Sequence, residues 1–145
     1  MQDSPAIFDS VPQRAVPRLL VADDSQSQRT ALCSFLRICG YQVSEAGDGN
    51  GVIRHLKDCQ VDLLLLDLQM PRSDGFEVLA YVQEHRRALP VILLSGLSAH
   101  EIQRSMQRRH QHDLPSLLLK PVDPDQLIQL VELHLSGDMP TMESF

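Results

Sequence analysis

The stretch VDLLLLD, residues 61–67, sets four leucines in a row ahead of an aspartate. A half-exposed strand alternates apolar and polar residues. An unbroken apolar run bounded by turn residues belongs to a strand covered on both faces. Three more runs are of this kind: RLLVA (18–22), PVILLS (90–95) and SLLLK (116–120). YQVSEA (41–46) is a weaker strand, placed toward a sheet edge. Between these runs the apolar period changes to that of helices. Residues 25–39 put Leu32, Phe35, Leu36 and Cys39 on one face, and Gly40 closes the helix. Further helices are expected over 49–59, weakened by Gly51, over 75–87, with Phe76, Leu79 and Val82 on one face, and over 98–110. The last spans 124–135, with Asp123 as N-cap, Pro124 at the first position and Gly137 just past the end. Five such strands alternating with five helices predict a doubly wound α/β domain. Its five-stranded parallel sheet takes the flavodoxin-like order 2-1-3-4-5, with helices on both faces.

The totals permit one domain of this kind. The chain has 145 residues and is 43% hydrophobic, with 4% aromatic residues and no Trp, so its core is aliphatic. A formal net charge of -6 argues against general nucleic-acid binding, which needs a concentrated basic patch. No run of about 18 apolar residues is present, so no membrane span is expected. The N-terminus has neither a positive start nor an apolar segment of the signal-peptide type, and a cytoplasmic location is expected. Cys33, Cys39 and Cys59 are odd in number and form no CxxC pair, so they are expected to be reduced packing residues. Residues 1–17, with Pro5, Pro12 and Pro17, read as a flexible arm, 18–137 as the folded domain and 138–145 as a tail.

In a parallel sheet the C-terminal ends of all strands share one edge, where ligands bind at the point of strand-order reversal. The first strand ends at Asp23 and Asp24, the third at Asp67, the fourth at Ser95 and the fifth at Lys120. Asp67 is therefore expected at the solvent-facing end of its strand with Lys120 beside it. Three carboxylates at close range repel, and a divalent cation with a preference for oxygen ligands, Mg²⁺, relieves that repulsion. The set has the parts for phosphoryl transfer. A carboxylate is the nucleophile, the metal and ammonium neutralise phosphoryl oxygens, and a hydroxyl donates a hydrogen bond. Any one of these residues alone would read as a strand or helix cap; the convergence of five favours chemistry.

Four segments carry a resemblance: VADDS (21–25), DLQMPRSDG (67–75), LLSG (93–96) and LLKP (118–121), with EAGDG (45–49) as a fifth. In this order and spacing the chain resembles the receiver domain of two-component response regulators over about residues 18–136. The resemblance implies that Asp67 accepts a phosphoryl group from a histidine kinase or phosphotransfer protein. It implies that Asp23 and Asp24 are the acidic pair, Asp24 the more direct Mg²⁺ ligand, with Asp67 and the backbone carbonyl of Gln69 completing the protein's share of the shell. Ser95 would hydrogen-bond the phosphoryl group, Lys120 would pair first with Asp67 and then with the phosphoryl, and Pro121 would follow a cis peptide bond. Such a domain is a switch that catalyses its own phosphorylation and dephosphorylation rather than a conventional enzyme. Its altered surface would bind a downstream partner or an output domain. The residues after the last helix are too few for an output domain, which implies a stand-alone receiver or one excised from a larger regulator.

Two departures stand out. The position three before the lysine, usually aromatic in this family, is Leu117, and the stretch from Ser95 to Lys120 is a few residues longer than usual. Both fall in the switch region formed by Ser95, Leu117 and Pro121, so the standard output coupling is in question while the chemistry is intact. Two other classes share part of this set. A phosphatase-type hydrolase with an aspartate nucleophile needs a second acid two residues on, where this chain has Gln69. A docking module that is never phosphorylated has no need of the complete acidic set. Gly47, Gly49 and Gly51 lack GxGxxG spacing and read as a turn and helix start. His110 and His112 lack a third ligand and read as a solvated loop. Arg104, Arg108 and Arg109 form either a solvated face or a partner contact on the fourth helix.

Overall fold

The computed structural model describes residues 16–70, 73–109, 111 and 114–136, with the side chains of residues 73 and 74 left aside. Most of the expected arm, the tail, Gly137, His110 and His112 lie outside the described residues. The main elements are β1 (Arg18–Ala22), α1 (Gln26–Ile38), β2 (Gln42–Ala46), α2 (Gly49–Asp58), β3 (Leu63–Asp67), α3 (Gly75–His85), β4 (Val91–Ser95), α4 (Ala99–Arg108), β5 (Ser116–Leu119) and α5 (Pro124–Ser136). All five strands are parallel in the order β2-β1-β3-β4-β5, which is the expected topology.

The leucine run explains itself in this sheet. Successive side chains leave opposite faces of a strand. Leu64 and Leu66 join Leu20, Ala22 and Leu93 against Val52 and Leu56 of α2, Phe76, Leu79 and Val82 of α3, and Ile102 and Met106 of α4. Leu63 and Leu65 join Leu19, Val21, Ile92 and Leu94 against Cys33 and Leu36 of α1 and Leu127 and Val131 of α5. Each fully buried leucine contributes about 1.5–3 kcal/mol relative to exposure. The two faces need apolar residues at positions 63–66 of β3, which is why alternation is absent there.

Helix starts follow local chemistry. Ser25, Asp48 and Ser98 accept hydrogen bonds from Gln28, Gly51 and Glu101 N–H groups, and Asp123 accepts from Asp125. These bonds satisfy donors that a helix leaves free in its first turn. At the other end of α1, Gly40 has φ 103, Gly40 N–H donates to Arg37 and Tyr41 N–H to Leu36, the paired closure that a left-handed residue makes possible.

The structure corrects several expectations. β5 is an edge strand, and Leu119 is 52% exposed, so its leucine run is not covered on both faces. Cys33 is buried, but Cys39 and Cys59 are exposed at helix ends and are not packing residues. α3 stops at His85 rather than continuing to residue 87. A two-residue antiparallel ladder, Gln69–Met70 with Ser73–Asp74, follows β3 and escaped notice because segments this short carry no periodicity.

Candidate functional site

The chain leaves β1 toward β2 on one side and then crosses to β3 on the other, so strand order reverses between β1 and β3. Asp23 and Asp24 follow β1, and Asp67 ends β3, at this crevice. One carboxylate oxygen from each of the three lies within 4.8 Å of the others. Ser95 ends the adjacent β4, and Lys120 follows β5; the Lys120 backbone N–H donates to the Ser95 carbonyl at 2.8 Å. The Lys120–Pro121 peptide bond is cis.

Asp67 is not at a wet strand end, as its position alone suggested. It is 1% exposed, and neighbouring donors hold both of its oxygens. Lys120 Nζ donates to Oδ2 at 2.9 Å and Gln69 N–H to Oδ1 at 2.9 Å. A buried carboxylate is tolerated when it is paired and hydrogen-bonded in this way. Asp23 is also fully buried. Its Oδ1 accepts from Ser25 N–H at 2.9 Å, but its Oδ2 has no hydrogen-bond partner and lies 3.6 Å from Lys120 Nζ. Burial pushes the Asp23 carboxyl above the usual carboxylate range; the Ser25 N–H opposes this, and the Asp67 charge adds to it. Asp24 is exposed. Three carboxylates against one ammonium leave the crevice negatively charged, with an orphaned buried oxygen. A hard cation with oxygen ligands fits that donor set.

Ser95 is fully buried, and its Oγ accepts from Leu97 N–H at 2.9 Å. A hydroxyl that accepts one bond still has its own proton to donate. Gln69 reaches across from the β3 side: its Oε1 accepts from Gly96 N–H at 2.9 Å. Leu117 is partly buried and packs against the cluster that contains Ile102 and Met106. Arg104 and Arg108 of α4 and Arg109 just after it are all exposed, and Arg109 also sits over the Phe76 ring at 4.8 Å. Gly47, Gly49 and Gly51 are a turn and helix start capped by Asp48.

Besides the Gln69 side chain, three contributors were not found by sequence reasoning. Gln28 Oε1 accepts from Lys120 Nζ at 3.1 Å, and Arg29 Nη1 donates to the Asp23 carbonyl at 2.6 Å. Gly75 lets α3 start against the acceptor loop, since a Cβ there would lie 2.7 Å from Leu68 Cα. Only the position of Gly75, at the end of the quoted DLQMPRSDG segment, could have signalled its role. A broad groove of about 1110 Å³, lined by residues including Tyr41, Asp62 and His134, lies at the N-terminal ends of the strands, away from the carboxylates.

The family model for the response regulator receiver domain matches residues 19–132, and the chain belongs to that family. Receiver domains are phosphorylation-type switches of two-component systems rather than conventional enzymes. The chain is 33% identical over 117 residues to the CAI-1 autoinducer sensor kinase/phosphatase CqsS of Vibrio cholerae, covering 79% of this chain and 17% of that protein. It is 33% identical over 124 residues to the transcriptional regulatory protein PdtaR of Mycobacterium tuberculosis, covering 84% of this chain and 58% of that one. It thus spans less than two thirds of these relatives. Among solved structures it is similar to the receiver domain of a histidine kinase from Syntrophus aciditrophicus, with a TM-score of 0.75, 29% identity, and coverage of 87% of this chain and 95% of that one. It is also similar to the response regulator TrrA from Thermotoga maritima, solved in complex with Mg²⁺ and beryllofluoride, with a TM-score of 0.72, 26% identity, and coverage of 83% and 100%. No described helix is long and apolar enough to cross a membrane.

Proposed function

We propose that Asp67 is the phosphoryl acceptor of a two-component switch, with a histidine kinase or phosphotransfer protein as donor. The observation that carries this reading is a buried carboxylate held by an ammonium at 2.9 Å beside two more carboxylates and a buried hydroxyl. An Asp67 carboxylate oxygen attacks phosphorus, the bond from phosphorus to the donor's imidazole nitrogen breaks, and the imidazole keeps that electron pair and takes up a proton. Lys120, already at Asp67, stays close to neutralise phosphoryl oxygens. Ser95 donates its free O–H to one of them while still accepting from Leu97. Asp23, Asp24, Asp67 and the Gln69 carbonyl are the residues that would hold Mg²⁺; the ion when bound supplies positive charge opposite the phosphoryl oxygens. In dephosphorylation a water attacks the same phosphorus, the bond to the Asp67 oxygen breaks and inorganic phosphate leaves, so the chain catalyses both its phosphorylation and its dephosphorylation. The changed surface then binds a downstream protein or an output domain.

Acetyl phosphate with Mg²⁺ tests this by intact mass. The wild type should gain one phosphoryl group and Asp67→Asn none. Equal labelling of the two would overturn the assignment.

A further inference from the structure

Arg29 of α1 bonds the backbone at the edge of the acidic crevice. The β1–β2 ladder ends at the pair Ala22 and Ala46, and one further bond runs from Asp23 N–H to the Ala46 carbonyl at 3.1 Å. The Asp23 carbonyl lies beyond the ladder. Arg29 Nη1 takes it at 2.6 Å, while Arg29 Nε donates to Glu45 Oε1 of β2 at 3.0 Å. Arg37 holds the other Glu45 oxygen at 3.5 Å and the Val43 carbonyl at 2.9 Å. The guanidinium lies alongside Gly47, where a Cβ would make an ordinary contact with Nη1 at 3.4 Å. Asp23 is thereby fixed at three points: its N–H by the Ala46 carbonyl, its own carbonyl by Arg29 and its Oδ1 by Ser25 N–H. Oδ2, buried and without a hydrogen-bond partner, faces Lys120 Nζ at 3.6 Å.

Resting on the cation site proposed above, we infer that Arg29 is a positioning residue for it. Its planar fork bonds a carbonyl and a carboxylate at once and holds the backbone of Asp23 and Asp24 in place before any ion arrives. Two roles for this guanidinium predict opposite signs. As a nearby positive charge it repels a cation, so Arg29→Ala would tighten Mg²⁺ binding. As a positioner it spares the ion the ordering of the loop, so Arg29→Ala weakens binding. Losing the order of about one residue's backbone corresponds to roughly a five- to thirtyfold weaker affinity.

The test is Mg²⁺ affinity by NMR titration of the unphosphorylated chain, with the melting temperature of the metal-free protein measured separately. Arg29→Ala should weaken binding by about tenfold. Arg29→Lys should fall well short of wild type, because one ammonium cannot bridge Asp23 and Glu45. Glu45→Gln, at an exposed position, should weaken it by a smaller factor, and Arg29→Lys, which keeps the charge but loses the fork, decides the matter if Arg29→Ala does not fold. A lowered melting temperature with wild-type affinity would show a purely structural residue and overturn the inference, as would tighter binding. A wild type indifferent to Mg²⁺ overturns the cation site itself; a binding wild type with unaltered variants overturns the role of Arg29 alone.

Discussion

Replacing Asp23 with Asn should make the metal-free protein more stable and remove its response to Mg²⁺. Asp23 is fully buried and its Oδ2 has no hydrogen-bond partner. An unsatisfied buried polar atom costs about 1–3 kcal/mol, and more when charged. Lys120 recovers part of this from 3.6 Å, but it is shared with Asp67 at 2.9 Å. The raised pKa of Asp23 gives the sign of the balance: burial and the neighbouring charge outweigh Lys120 and Ser25. Asn keeps the shape, removes one of three clustered negative charges and offers an amide N–H to the crevice. A gain of about 1–2 kcal/mol is expected, or roughly 3–6 °C per kcal/mol for a domain of this size. Adding Mg²⁺ at a hundredfold excess over its dissociation constant should stabilise the wild type by about 2.7 kcal/mol and the variant by little, so the ranking reverses. The pH dependence follows from the same shift. A carboxyl whose pKa is raised on folding gives stability that is full below its ordinary value of 3.8 and is lost as pH rises through the folded value. The advantage of Asp23→Asn should therefore be largest near neutrality and shrink toward acid. Urea unfolding followed by circular dichroism, with EDTA or with Mg²⁺, reads all three effects. A metal-free variant less stable than wild type would refute the reasoning.

Gly75→Ala should cost about 1–3 kcal/mol in urea unfolding, because the new Cβ would lie 2.7 Å from Leu68 backbone with no flexible group to yield; an unchanged midpoint would contradict that packing. Gln69→Ala should speed hydrogen exchange at Gly96 and tighten beryllofluoride binding, since Gly96 N–H loses its acceptor and becomes free for the mimic; unchanged exchange would show that the bond is not formed in solution. His134 is partly buried and its Nε2 meets Ser116 Oγ at 2.9 Å; burial lowers its pKa from 6.5, so folding favours the neutral ring. The stability this gives is full above pH 6.5 and is lost as pH falls through the lower folded value, and His134→Asn should flatten that part of the stability profile. Leu117→Ala should leave intact the change in hydrogen exchange that beryllofluoride produces over residues 95–110, because Ser95 acts on phosphate without help from residue 117; loss of that change would place Leu117 in the switch.

The sheet was legible because each strand's surroundings act on every residue in it. β3 packs against helices on both faces, so composition alone marks it, and the order of strands and helices then leaves few topologies. The same reading failed at β5, where SLLLK has the composition of a covered strand but lies on an edge. Edge or centre is a property of the assembled sheet, not of the segment. The residues at the strand ends were legible for a similar reason: a parallel sheet delivers every C-terminal end to one side, so Asp23, Asp67, Ser95 and Lys120 meet whatever the loops do. Their environment was not legible. Position put Lys120 beside Asp67 but also put Asp67 in water; what it did not show is that this ammonium, from a strand two places away in the sheet, lets the carboxylate be buried. Gln28, Arg29 and the Gln69 side chain went unseen because each acts through one long side chain across a tertiary gap. An arginine in the first turns of a helix has no local feature separating one that grips the Asp23 carbonyl from one that points into solvent. The pattern therefore specifies which groups meet at the crevice, Lys120 and Asp67 among them, while the bonds that order Asp23, Lys120 and Gly96 further come from side chains the pattern does not mark.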